Sequence, residues 1–170
     1  MNDLLTDLST RIAFRQILPT DVSIIFRWIN DETVRKMSFH SELISWEEHR
    51  AWFDSKIVDP NHVYYIALNE NKIPVGQIRF EANALDADVS VLIAPEFRKK
   101  GFGTEIIKCG TQLFFSNTSV SKVHAYIKLN NYGSYKAFLS AGYSDIGGTI
   151  YEGHKVNHMV QKRDRISVIE

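Results

Sequence analysis

Little in this chain could serve as a covalent or metallic staple. Only one of its 170 residues is a cysteine, Cys109. That excludes an intrachain disulfide and every multi-cysteine zinc pattern. The six histidines show no ligand spacing, so no metal is expected. No apolar run approaches the ~18 residues of a membrane span, and no membrane partner is expected. The opening MNDLLTDLST lacks the charged and apolar blocks of a signal peptide. The expected setting is therefore cytoplasmic, as a soluble monomer or homodimer. Net charge is missing as well, since twenty Lys plus Arg offset twenty Asp plus Glu. Binding to a phosphate polymer demands a basic excess, so no nucleic-acid partner is expected. A zero total still leaves room for local basic patches.

What is present is ordinary globular material, 44% hydrophobic and 24% charged. The length fits one domain, expected over residues 11–162, with a lead-in at 1–10 and a tail at 163–170. No repeat, low-complexity tract or linker interrupts it. A first strand is expected over Arg11–Leu18. Pro19-Thr20-Asp21 then opens a helix, with Thr20 or Asp21 as N-cap and Val22, Ile25, Phe26 and Ile29 at helical spacing. Residues 31–43 have no clean period and read as a loop or short helical pieces. Ser45-Trp46-Glu47-Glu48 is a capping box, opening a helix with Trp46, Phe53 and Ile57 on one face.

Strand patterns follow at Val63–Leu68, Pro74–Glu81 and Asp88–Ile93. Their short connections predict antiparallel pairing. A helix is expected over Thr104–Phe115, a strand over Val123–Lys128, and a helix over Asn131–Ala141 stopped by Gly142. Two short strands are expected near Tyr143–Ile146 and His158–Lys162. The order predicts a mixed sheet with helices on its faces, in the α/β or α+β range.

The stretch Val89–Thr104 carries the chemistry. A strand runs through Pro95 into Arg98-Lys99-Lys100-Gly101-Phe102-Gly103, and a helix follows. Gly101 and Gly103 allow close backbone approach. The first amides of a helix have no intrahelical partner and favour an anion. Three basic side chains stand beside them. This setting suits a pyrophosphate. The loop contains neither G-x-x-x-x-G-K-[ST] nor the G-x-G-x-x-G of dinucleotide folds.

The segment Val91 to Thr104 resembles the acetyl-CoA motif of the GCN5-related N-acetyltransferase (GNAT) superfamily. Asn131-x-x-Ser134, running to Ala141-Gly142-Tyr143, is similar to that superfamily's next motif. The resemblance implies a mostly antiparallel sheet of six to seven strands, splayed between the fourth and fifth, with helices on both faces. It implies acetyl-CoA as cosubstrate and direct attack by an amine in a ternary complex. Arg98, Lys99, Lys100, Gly101, Phe102, Gly103 and Thr104 would hold the pyrophosphate. Leu92 and Ile93 would pair with the pantetheine arm, and Asn131 would contact it. Asp88 falls where many members place a carboxylate base, with Glu81 and Asp86 as rivals. Many members carry an acid Tyr seven residues after the matching Asn. Here that residue is Phe138, and Tyr135 lies almost a turn away.

Phe26–Asp31, Val34–Phe39 and Ile44–Phe53 resemble the acetyltransferases of pseudaminic and related nonulosonic acid biosynthesis. The implied acceptor is a small-molecule amine, a UDP-linked 4-amino-dideoxy sugar. Arg27, Arg35 and His49 would meet its phosphates, with Arg27 or Arg35 substituting for the arginine that members often carry where Ile29 stands, while Met37, Phe39 or Trp46 would stack the base. Trp46 and Phe53 also read as core, and His49 as a helix residue satisfied by a neighbour. Two alternatives stay open: a protein N-terminal or ribosomal-protein acetyltransferase, and a non-catalytic acyl-CoA-binding module.

Overall fold

A computed structural model describes residues 11–164. It contains one seven-stranded sheet. The strands are β1 (Ala13–Gln16), β2 (His62–Leu68), β3 (Pro74–Asn83), β4 (Asp86–Ile93), β5 (Lys122–Lys128), β6 (Ser144–Tyr151) and β7 (His154–Lys162). They lie in the order β1-β2-β3-β4-β5-β7-β6. Every pairing is antiparallel except β4 with β5. The helices are α1 (Val22–Ile29), α2 (Glu32–Met37), α3 (Trp46–Lys56), α4 (Phe102–Asn117) and α5 (Tyr132–Ser140). The mixed, mostly antiparallel sheet with helices on both faces matches the expectation from sequence.

Each face of the sheet has its own core, because the strand period of two sorts side chains to opposite sides. On one face, Ile78 and Phe80 of β3 meet Ile106, Ile107 and Phe114 of α4 and Phe138 of α5. Phe80 stacks on Phe114 with centroids 4.1 Å apart. On the other face, Ile66, Leu68 and Leu92 meet Val22, Ile25 and Trp28 of α1 and Phe53 of α3. The apolar run of β2 is nearly all buried because both faces are covered there.

Several boundaries differ from the sequence expectation. β1 is only four residues long. Asp21 is the N-cap residue of α1, as expected, but its side chain makes no cap bond. Its carboxylate takes both guanidinium nitrogens of Arg15, at 2.7 and 2.8 Å, and the Leu18 amide at 2.8 Å. Of the two readings for residues 31–43, the short helical one holds: α2 forms there, with the Asp31 side chain accepting the Val34 amide. The two short C-terminal strands are eight and nine residues long and form one hairpin. Its two-residue turn, Glu152-Gly153, has φ of 46° and 76°. That is the left-handed pair a primed hairpin turn requires, and Glu in the first place hides it from sequence. The chain is held past the expected domain end, since Arg163 bonds the carbonyls of Phe115, Thr118 and Val120. Residues 1–10, read as a lead-in, and 165–170 of the expected tail lie outside the described residues.

Gly76 of β3 lies where a Cβ would meet the Leu92 carbonyl oxygen at 2.5 Å. Backbone cannot rotate aside as a side chain can, so an added methyl overpacks the β3–β4 ladder. Gly76→Ala is expected to cost about 1–3 kcal/mol. A lower urea midpoint at unchanged slope would show it. An unshifted midpoint would show that the ladder yields freely.

Candidate active site

β4 and β5 pair only at Asp86↔Lys122, Ala87↔Val123 and Asp88↔His124. Beyond Asp88, β4 continues to Ile93 with β3 alone as its partner. Its other edge turns its backbone groups toward a cleft of about 1170 Å³ between the parting strands. The wall continues through the loop after β4, the start of α5, and α2 with its following loop.

The glycine loop lies at one end of this cleft. Ile93 leads through a 3-10 turn, Pro95–Phe97, to Lys99 and Gly101, whose φ values are 57° and 85°. Gly101 is the N-cap residue of α4 and supplies no side-chain cap. The first α4 amides are therefore left for a ligand. Leu92, Ile93, Arg98, Lys99, Gly101, Gly103, Thr104 and Asn131 all line the cleft. Two expected contacts turn away. Lys100 sends its ammonium to the Glu96 carbonyl at 2.8 Å and over the Phe97 ring. Phe102 packs edge-on against Phe97 and under the Arg11 guanidinium. Only the backbone of these two is left to serve a ligand. Arg98 is engaged too. It makes an ion pair with Asp31 at 2.7 Å and donates to the Ile93 carbonyl at 3.2 Å. The pair holds Asp31 below the usual carboxylate range despite its burial. Arg98 thus ties the loop to the cap of α2. Asn131 caps α5, accepting the Ser134 amide at 3.2 Å.

Asp88 stands at the last paired position, where the two strands separate. It is the carboxylate among the three candidates that lines the cleft while half-buried. Burial raises its pKa, the charges of Glu81 and Asp86 raise it further, and His124 opposes them. Glu81 also borders the cleft but is more exposed, and Lys56 binds it at 3.1 Å. Asp86 lies 3.5 Å from His124 Nε2. Phe138 is buried in the core, edge-on to Tyr143. Tyr135 donates to Asp145 at 2.8 Å and does not border the cleft.

The acceptor half departs most from expectation. Met37 and Phe39 line the cleft, with Phe39 against Tyr151 at 5.2 Å. Arg27 is exposed and outside the wall, because its position on α1 faces away from the sheet. His49 borders the cleft, yet it is 1% exposed and its Nε2 bonds the Val22 carbonyl at 2.9 Å. Burial lowers its pKa, and the Val22 carbonyl opposes that shift. Arg35 donates to the carbonyls of Ile29, His40 and Glu42 and to the Ser38 hydroxyl, so it holds the 38–44 loop. Trp46 is 37% exposed and covers Phe26 edge-on, whereas Phe53 is core.

Sequence reading missed Arg79, Ser90, Tyr126, Lys128 and Tyr151, which all line the cleft. Tyr126 and Tyr151 stack at 4.1 Å, and burial, then the charge of Asp88, raises the pKa of both. The available signal was pleat parity. Arg79, Asp88 and Ser90 fall on one sheet face by their two-residue period and the β3–β4 register.

A family model described as Acetyltransferase (GNAT) domain matches residues 11–144. The chain belongs to the GNAT acetyltransferase family. It is similar to the uncharacterized protein MJ1062 of Methanocaldococcus jannaschii, at 29% identity over 79% of the chain, and spans 28% of that protein's length. Among solved structures, it resembles spermidine N-acetyltransferase from Vibrio cholerae in complex with CoA and spermine. The TM-score is 0.81 at 19% identity, covering 89% of this chain and 95% of the other. It also resembles AAC(6')-Ib in complex with ribostamycin and coenzyme A. There the TM-score is 0.80 at 18% identity, covering 91% and 94%. At such identities the likeness is one of fold. Among the described residues no cluster of metal-ligating side chains occurs, and no helix is long and apolar enough to cross a membrane.

His62, in the cleft wall, has a pKa pushed down to about 4 by burial, then by Arg79 and Lys56, with Glu81 and Asp59 opposing. The unfolded chain, with His near 6.5, then takes up the proton first. Stability present above that value is lost as pH falls toward the folded pKa. Thermal melts should drop between these limits, and His62→Gln should flatten the drop. Equal slopes for both proteins would remove His62 as a source.

Proposed function

We propose that this chain is an acetyl-CoA-dependent N-acetyltransferase whose acceptor is a small amine, a nucleotide-linked 4-amino sugar. The observation that carries the transferase reading is the parting of β4 and β5 beside an uncapped, glycine-preceded helix start. The residues present fit acetyl-CoA. Residues 89–93 have backbone groups with no second strand to pair with, as an amide-bearing pantetheine arm requires. Gly103 and the first α4 amides leave space and donors for a pyrophosphate. When bound, acetyl-CoA supplies the thioester that an amine attacks.

The chain's own residues do the rest. Asp88 accepts the proton the amine must lose, directly or through water. Its raised pKa brings its basicity closer to neutral pH, where a general base works best. Unpaired β4 amides can donate to an oxygen that gains charge. No tyrosine stands at Phe138 to protonate the leaving sulfur. A thiol leaves as thiolate, since its pKa is only about 8.5. The sugar reading is supported by the motif likeness around α1–α3, by Met37 and Phe39 on the wall, and by cationic side chains there. Thiol release from acetyl-CoA tests it. Turnover with peptides and none with a UDP-amino-sugar would replace it with the protein-acetylating reading. Binding of acetyl-CoA with no turnover of any amine would favour the non-catalytic module.

Asp88→Asn is expected to cut turnover about a hundred- to ten-thousand-fold at saturating acetyl-CoA. Because burial raises the Asp88 pKa, the fold disfavours its ionised form, and the same change should not lower the melting temperature at neutral pH. An unchanged rate and pH profile would remove Asp88 as base. For Gly103→Val, the added Cβ meets only Ile93 side-chain atoms, at 3.8 and 4.0 Å. The fold should survive while acetyl-CoA affinity is lost, and retained affinity would show the loop to be misassigned.

A further inference from the structure

We infer that Arg79 and His62 form an anion subsite in the acceptor half of the cleft, so that the amine acceptor carries a phosphate or carboxylate. This rests on reading the cleft as the acetyltransfer site. It adds that the acceptor is anionic near its amine, unlike a polyamine.

The basic side chains around this cleft are mostly spent. Arg98 is paired with Asp31, Arg35 holds a loop, and Lys128 donates to the Ser38 carbonyl. Arg79 differs. Among the described residues its side chain forms no hydrogen bond and no ion pair. Its guanidinium lies 4.7 Å over the Trp52 ring. The stacked face is fixed by cation–π attraction, while the N–H edges stay open to the cleft. The nearby Glu81 does not neutralise it, since Lys56 holds that carboxylate at 3.1 Å. A half-buried arginine without a counter-ion has lost hydration and gained no partner. An incoming anion would supply one.

His62 borders the same wall, with its side chain 1% exposed. Neither ring nitrogen has a hydrogen-bond partner, and Glu81 stands 3.9 Å from Nδ1. A buried neutral imidazole has one N–H to give. Two unsatisfied donors on one wall make a built site for a bidentate oxyanion.

The register places this subsite relative to the chemistry. Arg79 pairs with Ser90, and Glu81 pairs with Asp88. Arg79 and Asp88 are therefore diagonal neighbours on one face, about 7–8 Å apart. The anion and the attacking amine must be separated by a comparable span. An amine across a hexose ring from an anomeric phosphate meets this condition.

The test is a titration of the full-length protein with coenzyme A held at saturation, so that the glycine loop is already filled. UDP, inorganic pyrophosphate and malonate are added separately, and binding is followed by tryptophan fluorescence and calorimetry. Wild type is expected to bind at least one, with a fluorescence change from Trp52. Arg79→Gln should weaken it at least tenfold, and Arg79→Lys should weaken it less, both at unchanged coenzyme A affinity. Stronger malonate than phosphate binding would assign a carboxylate-bearing acceptor; the reverse would assign a phosphate. Equal affinity in wild type and Arg79→Gln, or no anion binding by wild type, would overturn the subsite. Failure of wild type to bind coenzyme A would instead overturn the transferase reading beneath it.

Discussion

The site depends on one event in the sheet: β4 and β5 stop pairing after Asp88 and His124. Up to that point the parallel ladder satisfies both backbones. Beyond it, the β5-facing backbone groups of β4 have no partner strand, and Arg98 meets only the Ile93 carbonyl. Unpaired backbone is tolerated only where water or a ligand can reach it. The cleft is therefore a consequence of the fork. So is the position of Asp88, which is half-buried because it sits where the two strands begin to separate.

Electrostatics around the fork follow local pairing, and total charge says little. The chain's zero balance coexists with a cluster of basic side chains at the glycine loop. Several cations are spent on structure: Arg98 on Asp31, Lys100 on the Glu96 carbonyl, Arg35 on loop carbonyls, and Arg163 on carbonyls at and beyond the end of α4. Each contact replaces water, and those of Arg98 and Arg163 join segments far apart in sequence. The Arg98–Asp31 pair ties the glycine loop to α2, two walls of the same cleft. Movement of either wall would strain the other.

Much of the fold was legible because its signals are local. The capping box at Ser45, the stop at Gly142 and the alternation of β3 and β4 each act within a few residues. The C-terminal hairpin was underestimated for a local reason as well, since Glu152 occupies a turn position where Asn or Asp would have announced it. The glycine loop was legible for the same reason: its glycines, its following helix and its position after a strand are contiguous. The acceptor side was read less well. Arg27 and Arg35 lie in a basic-looking stretch, but α1 turns Arg27 to solvent and the loop carbonyls capture Arg35.

By itself, the sequence determined the order of elements, the glycine loop, the caps and the loss of a tyrosine at Phe138, because these depend on near neighbours and backbone geometry. Tertiary structure alone decided which charges remain free. Whether an arginine is a ligand or a brace depends on what the register brings beside it. Arg79 is open because β2, β4 and α3 place Tyr64, Ser90 and Trp52 around it, while Lys56 holds the nearest carboxylate on its strand, Glu81. Pairings across such sequence distances are set by the packing of the sheet, and no local pattern encodes them.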